Sequence, residues 1–151
     1  MKLQRTFTFI AGVFFAVGFA ASQASAGAPS TECAFEIEVN ALRAGAKTVV
    51  TGANQTTNVT AKARILKGTA DKATIMDATL TIEAVTGGQV ISTNSAGPIR
   101  LGVGKGGKGA KLTMAVTKCT GGFIEFAARF FGVDGDSDLC EKTRILRKAC
   151  R

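Results

Sequence analysis

The chain has 151 residues, with 19 Lys and Arg against 11 Asp and Glu, for a formal charge of +8. It contains no His, Trp or Tyr, so the commonest general base, the commonest neutral metal ligand and the two rings best suited to stacking on sugars are all missing. This length suffices for one domain with one core, and the positive balance favours an anionic partner without naming it.

The chain begins with Lys2 and Arg5, followed by an uncharged run from Thr6 to Ala21 that holds Phe7, Phe9, Ile10, Val13, Phe14, Phe15, Val17 and Phe19. Ala24-Ser25-Ala26 then offers the small-x-small pattern that signal peptidase accepts. The expectation is a secretory signal peptide over residues 1–26 and a mature domain from Gly27 to Arg151, secreted or periplasmic. The apolar run falls short of the roughly 18 residues of a membrane span, so no transmembrane anchor is expected after cleavage. Two positive charges and no acid leave with the leader. The space it leads to is oxidising and lacks a ready supply of ATP.

From Cys33 onward the pattern has period two. Phe35, Ile37, Val39 and Ala41 alternate with Glu36, Glu38 and Asn40. The same alternation places Val59, Ala61, Ala63 and Ile65 on one face of a strand, then Leu80, Ile82 and Ala84, then Ile99, Leu101 and Val103. Leu112, Met114 and Val116 follow, and then Ile124, Phe126, Ala128 and Phe130. Only a strand keeps one face dry and the other wet at this period. Adding Gln89–Thr93 and a closing strand over Leu139–Arg147 gives eight strands. Turn signals separate them: Thr51–Asn54, Lys67-Gly68, Thr86–Gln89, Ser95–Pro98, Gly104–Gly109, Gly121-Gly122 and Asp134–Asp136. Thr69–Lys72 suits one short helical turn. The expected fold is all-β, an antiparallel β-sandwich.

Several clusters carry possible chemistry. Gly102 to Gly109 nearly matches a phosphate-cradling loop, with Lys108 in place, but Gly109 stands where the magnesium-binding hydroxyl belongs and a strand follows instead of a helix. The plainer reading is a basic hairpin loop, in which Lys105, Lys108 and Lys111 offer a general anion contact. Lys142, Arg144 and Lys148 share one parity on the last strand, as an anion-binding stripe or as charges that keep an edge strand from aggregating. Asp134, Asp136 and Asp138 have the spacing that opens a calcium loop. Leu139 and Ile145 replace its Gly and closing Glu, so a solvated turn is the alternative. Asn54-Gln-Thr56 and Asn58-Val-Thr60 fit the glycosylation pattern, which is short enough to arise by chance.

Cys33, Cys119, Cys140 and Cys150 form an even set in an exported chain, with no C-x-x-C pair and no His to complete a metal site. They read as two disulfides, with three pairings open. If the Asp134–Asp138 turn joins antiparallel strands with Val133 opposite Asp138, Cys150 falls across from Gly121, within reach of Cys119. By strand number and spacing the mature chain resembles an immunoglobulin or fibronectin type III sandwich, although the inner-strand Trp of antibody domains is missing. In that layout the first strand often runs parallel beside the last. The resemblance therefore implies Cys33–Cys140, leaving Cys119–Cys150 as the second bridge.

No nucleophile–base pair stands out. The cysteines are taken, no Ser sits in a G-x-S-x-G turn, and Glu36, Glu38, Glu83 and Glu125 fall at outward parity. The expected role is a non-catalytic exported module for binding or surface assembly, without a cofactor. The alternative is a binder of polyanions or small ligands. Partners in view are an anionic glycan, lipopolysaccharide or an envelope or surface protein.

Overall fold

The period-two pattern folds as strands. A computed structural model describes residues 32–104 and 106–151. The expected signal peptide and Lys105 lie outside the described residues. In chain order the strands are β1 (Ile37–Ala44), β2 (Thr48–Val49), β3 (Thr56–Ile65), β4 (Ile75–Thr86), β5 (Gln89–Gly102), β6 (Lys108–Ala115), β7 (Phe123–Val133) and β8 (Leu139–Cys150). Among the described residues there is no helix. No helix there is long and apolar enough to cross a membrane.

The strands form two sheets, one ordered β1-β3-β6 and the other β2-β8-β7-β4-β5. Their inward residues make one core. The three-stranded sheet contributes Val59, Ala61, Ala63, Ile65, Leu112 and Met114, and the five-stranded sheet Leu80, Ile82, Ala84, Ile124, Phe126 and Phe130. Phe126 and Phe130 are fully buried, and each stabilises the fold by about 2–3 kcal/mol relative to an exposed ring. On the β5 side the sheets are joined by side chains. The Ser92 hydroxyl accepts from Ala115 N–H at 3.1 Å, and the Asn94 amide donates to the Thr113 carbonyl at 3.0 Å.

The structure departs from the sequence-based expectations in four places. The fold is not purely antiparallel, because β2 runs parallel to β8 through Thr48–Ala149 and Val49–Cys150. Arg151 N–H donates to Val49 O at 3.0 Å, which secures this short strand. The two strands expected on either side of Ser95–Pro98 are one continuous strand, β5. There Gly97 and Pro98 stand opposite the single residue Thr79 as a bulge, and the Gly97-Pro98 peptide is cis. β5 is a sheet edge, where a proline without an N–H does no harm to the ladder. Thr69–Lys72 is not helical. Thr69 folds back on Leu66 O through both its N–H and its hydroxyl, at 3.2 and 2.8 Å.

The fourth departure concerns the register of the last hairpin, which is displaced by one residue. Asp134 N–H bonds Asp138 O at 3.0 Å, so the loop takes Asp138 and the ladder begins at Val133–Leu139. Cys150 therefore lies opposite Gly122, whose carbonyl accepts its N–H at 3.0 Å. One residue of slip still leaves Cys119 in reach. Cys119 bonds Cys150 with a Cα separation of 6.2 Å, and Cys33 bonds Cys140 with 5.0 Å. The second pair does not arise from a first strand lying parallel to the last. β1 sits in the other sheet, and the bridge fastens the segment before it to the start of β8.

Candidate functional site: a basic sheet face

β3 lies in the middle of the three-stranded sheet, and its alternate residues Thr60, Lys62 and Arg64 point away from the core. The register places Arg43 of β1 and Lys111 of β6 on either side of Thr60, and Ala41 and Gly109 on either side of Lys62. Paired residues of antiparallel strands share a face, so Arg43, Lys62 and Lys111 stand together on the outer surface. With strands about 4.8 Å apart, Arg43 and Lys111 project from backbones roughly 10 Å apart, and Lys62 emerges about 7 Å further along β3. All three side chains are exposed. A shallow groove of about 340 Å³ runs over Ala41, Arg43, Thr60 and Lys62. Gly109 has a local reason to be glycine, since a Cβ there would run into the Ala61 carbonyl of β3.

The two outer faces differ in how their charges are used. On the five-stranded sheet Arg100 pairs with Asp77 at 3.1 Å, Arg147 with Glu125 at 3.6 Å, and Arg129 with Glu141. Arg147 also covers the Phe123 ring at 3.4 Å and Arg129 the Phe131 ring at 4.8 Å. The Arg100 guanidinium holds the Asp77 carboxyl below its usual range, chiefly through their hydrogen bond. On the three-stranded sheet Glu38 pairs with Arg64 at 2.7 Å. None of the ion pairs between described residues takes up Arg43, Lys62 or Lys111. The molecule therefore has one outer face with its charges paired and one with a surplus of cations.

The residues singled out from sequence divide between sheets. Lys108 and Lys111 lie on β6, with Lys108 paired to Ala63 at the start of the strand. Lys142, Arg144 and Lys148 do share one face of β8, but it is the face they share with Phe130, Ala128 and Ile124 of β7, turned toward the core side. Arg144 donates to Val39 O at 2.9 Å, across to the other sheet. Lys142 and Arg144 line a cleft of about 270 Å³ with Glu36 and Glu38. Acids on one lip answer the bases on the other, so the cleft has no net preference for anions. Arg43 and Lys62 are the residues that sequence reasoning missed. The outward parity of Lys62 was visible, but the register that brings Arg43 and Lys111 beside its strand was not.

The three aspartates do not converge. The Asp134 carboxylate is buried and accepts three backbone N–H groups, from Ala34 at 3.0 Å, Asp136 at 2.9 Å and Asp138 at 3.0 Å. These bonds, with Ala34 foremost, hold its carboxyl below the usual range. Asp136 is exposed and Asp138 half-buried. The group of potential ligand atoms that does come together is Cys33, Asp134 and Cys140, and its two sulfurs are already bonded to each other. Asp134 acts as a clasp between the last hairpin and the segment before β1. Of the two glycosylation patterns, Asn54 is exposed in a turn, whereas the Asn58 amide oxygen accepts the Thr113 hydroxyl at 2.9 Å. The glycine-rich loop leads into strand β6, not into a helix, so the helical context of a phosphate-cradling loop is missing. Set beside known proteins, the sequence matches no family model and no curated relative.

Proposed function

We propose that the protein is a non-catalytic exported binding module whose partner is anionic. The observation that carries this reading is the unequal use of charge on the two sheet faces, with Arg43, Lys62 and Lys111 in no ion pair among the described residues. Two disulfides suit an oxidising compartment and agree with the signal peptide expected over residues 1–26. The absence of His from the whole sequence and the pairing of all four cysteines support a binding role over catalysis. Two sheets around one core support an immunoglobulin- or fibronectin-III-like sandwich, with parallel pairing at β2 and at the Ile65–Val103 bridge. Such a scaffold offers broad, rigid faces instead of an enclosed pocket. The test is retention of mature Gly27–Arg151 on immobilised heparin at low salt. Elution with rising salt, and no retention on the neutral matrix, is the expected result. Passage without delay through heparin and through immobilised DNA and anionic lipid alike refutes an anionic partner.

A second reading, surface assembly, has its own observation. β8 is paired on its outer side only at Ala149 and Cys150, so the backbone of Leu139–Lys148 has no strand partner there among the described residues, and its C-terminal half, beyond the Cys33–Cys140 bridge and the Arg144–Val39 bond, is the more open part. Leu139 and Ile145 on that strand are 53% and 60% exposed. Light scattering of the eluted protein decides it, since assembly requires a mass above that of the monomer at micromolar concentration.

A further inference from the structure

Resting on the reading of an anionic partner, we infer that the outer face of β1, β3 and β6 is the docking site, and that its ligand is an anionic polysaccharide. The face sets cations beside neutral hydrogen-bonding groups. Arg43, Lys62 and Lys111 supply the charge; Thr60 stands between Arg43 and Lys111, and Asn58 and Thr113, joined to each other by a hydrogen bond, flank them one step along the strands. That mixture matches a polymer whose sulfate or carboxylate groups are separated by hydroxyls. Arg43 offers a planar fork for a two-oxygen group, and the lysines act as point charges that follow a mobile chain. Ala41 and Thr60, both short, leave the groove between Arg43 and Lys62 open for a sugar backbone.

Three other anionic partners fit less well. Single-stranded nucleic acid is held by aromatic side chains on which bases stack. None of the residues that the strand register places on this face carries a ring. Duplex DNA is read by an element that enters a groove, and a flat sheet face does not provide one. A membrane surface calls for apolar side chains beside the basic ones. The large exposed apolar residues Ile75, Val90, Val133, Leu139 and Ile145 all belong to the five-stranded sheet, and Val50 lies in the turn after β2.

The experiment uses the mature chain and three variants: Arg43→Gln/Lys62→Gln/Lys111→Gln, Lys142→Gln/Lys148→Gln and Lys105→Gln/Lys108→Gln. Binding is measured by calorimetry and by salt-dependent retention against heparin, a 30-base-pair DNA duplex and phosphatidylglycerol vesicles. The wild type should prefer heparin. The triple variant should bind heparin at least about tenfold more weakly, with a salt dependence flatter by about three units of slope, one for each charge lost. The two double variants should stay within about twofold on heparin, apart from the general loss of charge. The triple variant's melting temperature should be unchanged, because none of the three side chains is in an ion pair between described residues. Unchanged heparin binding by the triple variant overturns the site while the anionic-partner reading survives. Stronger wild-type binding to DNA or vesicles than to heparin overturns the ligand class. Failure of the wild type to bind any of the three removes the underlying reading as well.

Discussion

Thr86 makes the sharpest test of how the structure is held together. Its side chain is 2% exposed at the end of β4. The hydroxyl accepts Thr120 N–H at 2.7 Å and faces two carbonyls, Phe123 O at 2.9 Å and Thr120 O at 3.1 Å. One hydroxyl proton serves one carbonyl at a time, so two hydrogen bonds are made at once. Thr86→Val keeps the shape and deletes both. At about 1 kcal/mol net for each bond, the expected cost is about 2 kcal/mol. The Thr120 N–H bond is part-buried, so incomplete rehydration of the freed donor adds to that figure, which is the lower bound of the cost. Thr86→Ser keeps the bonds and loses one buried methyl, at about 0.8 kcal/mol before any cavity effect. The assay is urea unfolding under non-reducing conditions. With a slope of about 2 kcal/mol per molar urea, the midpoint should fall by at least about 1 M for Val and by less than half of that for Ser. A Val variant within about 0.3 M of wild type, or a Ser variant less stable than the Val variant, refutes the role given to the hydroxyl.

Other predictions concern the last hairpin and the bridges. The folded state holds the Asp134 carboxyl below its usual range, so the stability it contributes is present above the unfolded value of about 3.9 and is lost as pH falls through the lower folded value. Asp134→Asn should therefore be less stable than wild type at neutral pH, and thermal melts of the two should converge as pH drops below about 3.9; a constant gap down to strong acid counts against the clasp. Cys119→Ser/Cys150→Ser opens a loop with a sequence separation of 31, and Cys33→Ser/Cys140→Ser one of 107. Chain entropy gives losses of about 3.7 and about 4.8 kcal/mol, so the second variant should unfold at lower urea, and the reverse order would show that local packing dominates.

The parts of the fold that depend on side-chain alternation were legible in the sequence, and the parts that depend on neighbouring strands were not. Val59 to Ile65 and Ile124 to Phe130 face the core as their period requires, because a strand has only two faces to assign. Ser95–Pro98 misled because Gly and Pro serve a bulge on an edge strand as readily as a turn. Thr48–Val49 left no pattern, since two residues have no periodicity to read. The hairpin register slipped by one because the Asp134 carboxylate gathers its own loop amides, a contact that the sequence does not reveal. For the basic site, the shared parity of Lys142, Arg144 and Lys148 was correct. Which side of the sheet that parity meant depended on β7, whose partners on that face are buried. Arg43 and Lys111 are far apart in the chain and meet only through β3.

Both bridges end on the same strand. Cys140 and Cys150 stand at the two ends of β8, and their partners Cys33 and Cys119 come earlier in the chain. If, as proposed, the chain is exported N-terminus first, Cys33 and Cys119 reach an oxidising solution before either native partner has arrived. In that interval the available bond is the wrong one, between Cys33 and Cys119. Correct maturation then depends on oxidation waiting for the last strand, or on exchange that undoes the early bond by thiolate attack. The strand that closes the chain thus sets the order of its covalent chemistry. A truncation before Cys140 would leave two thiols with no partner but each other.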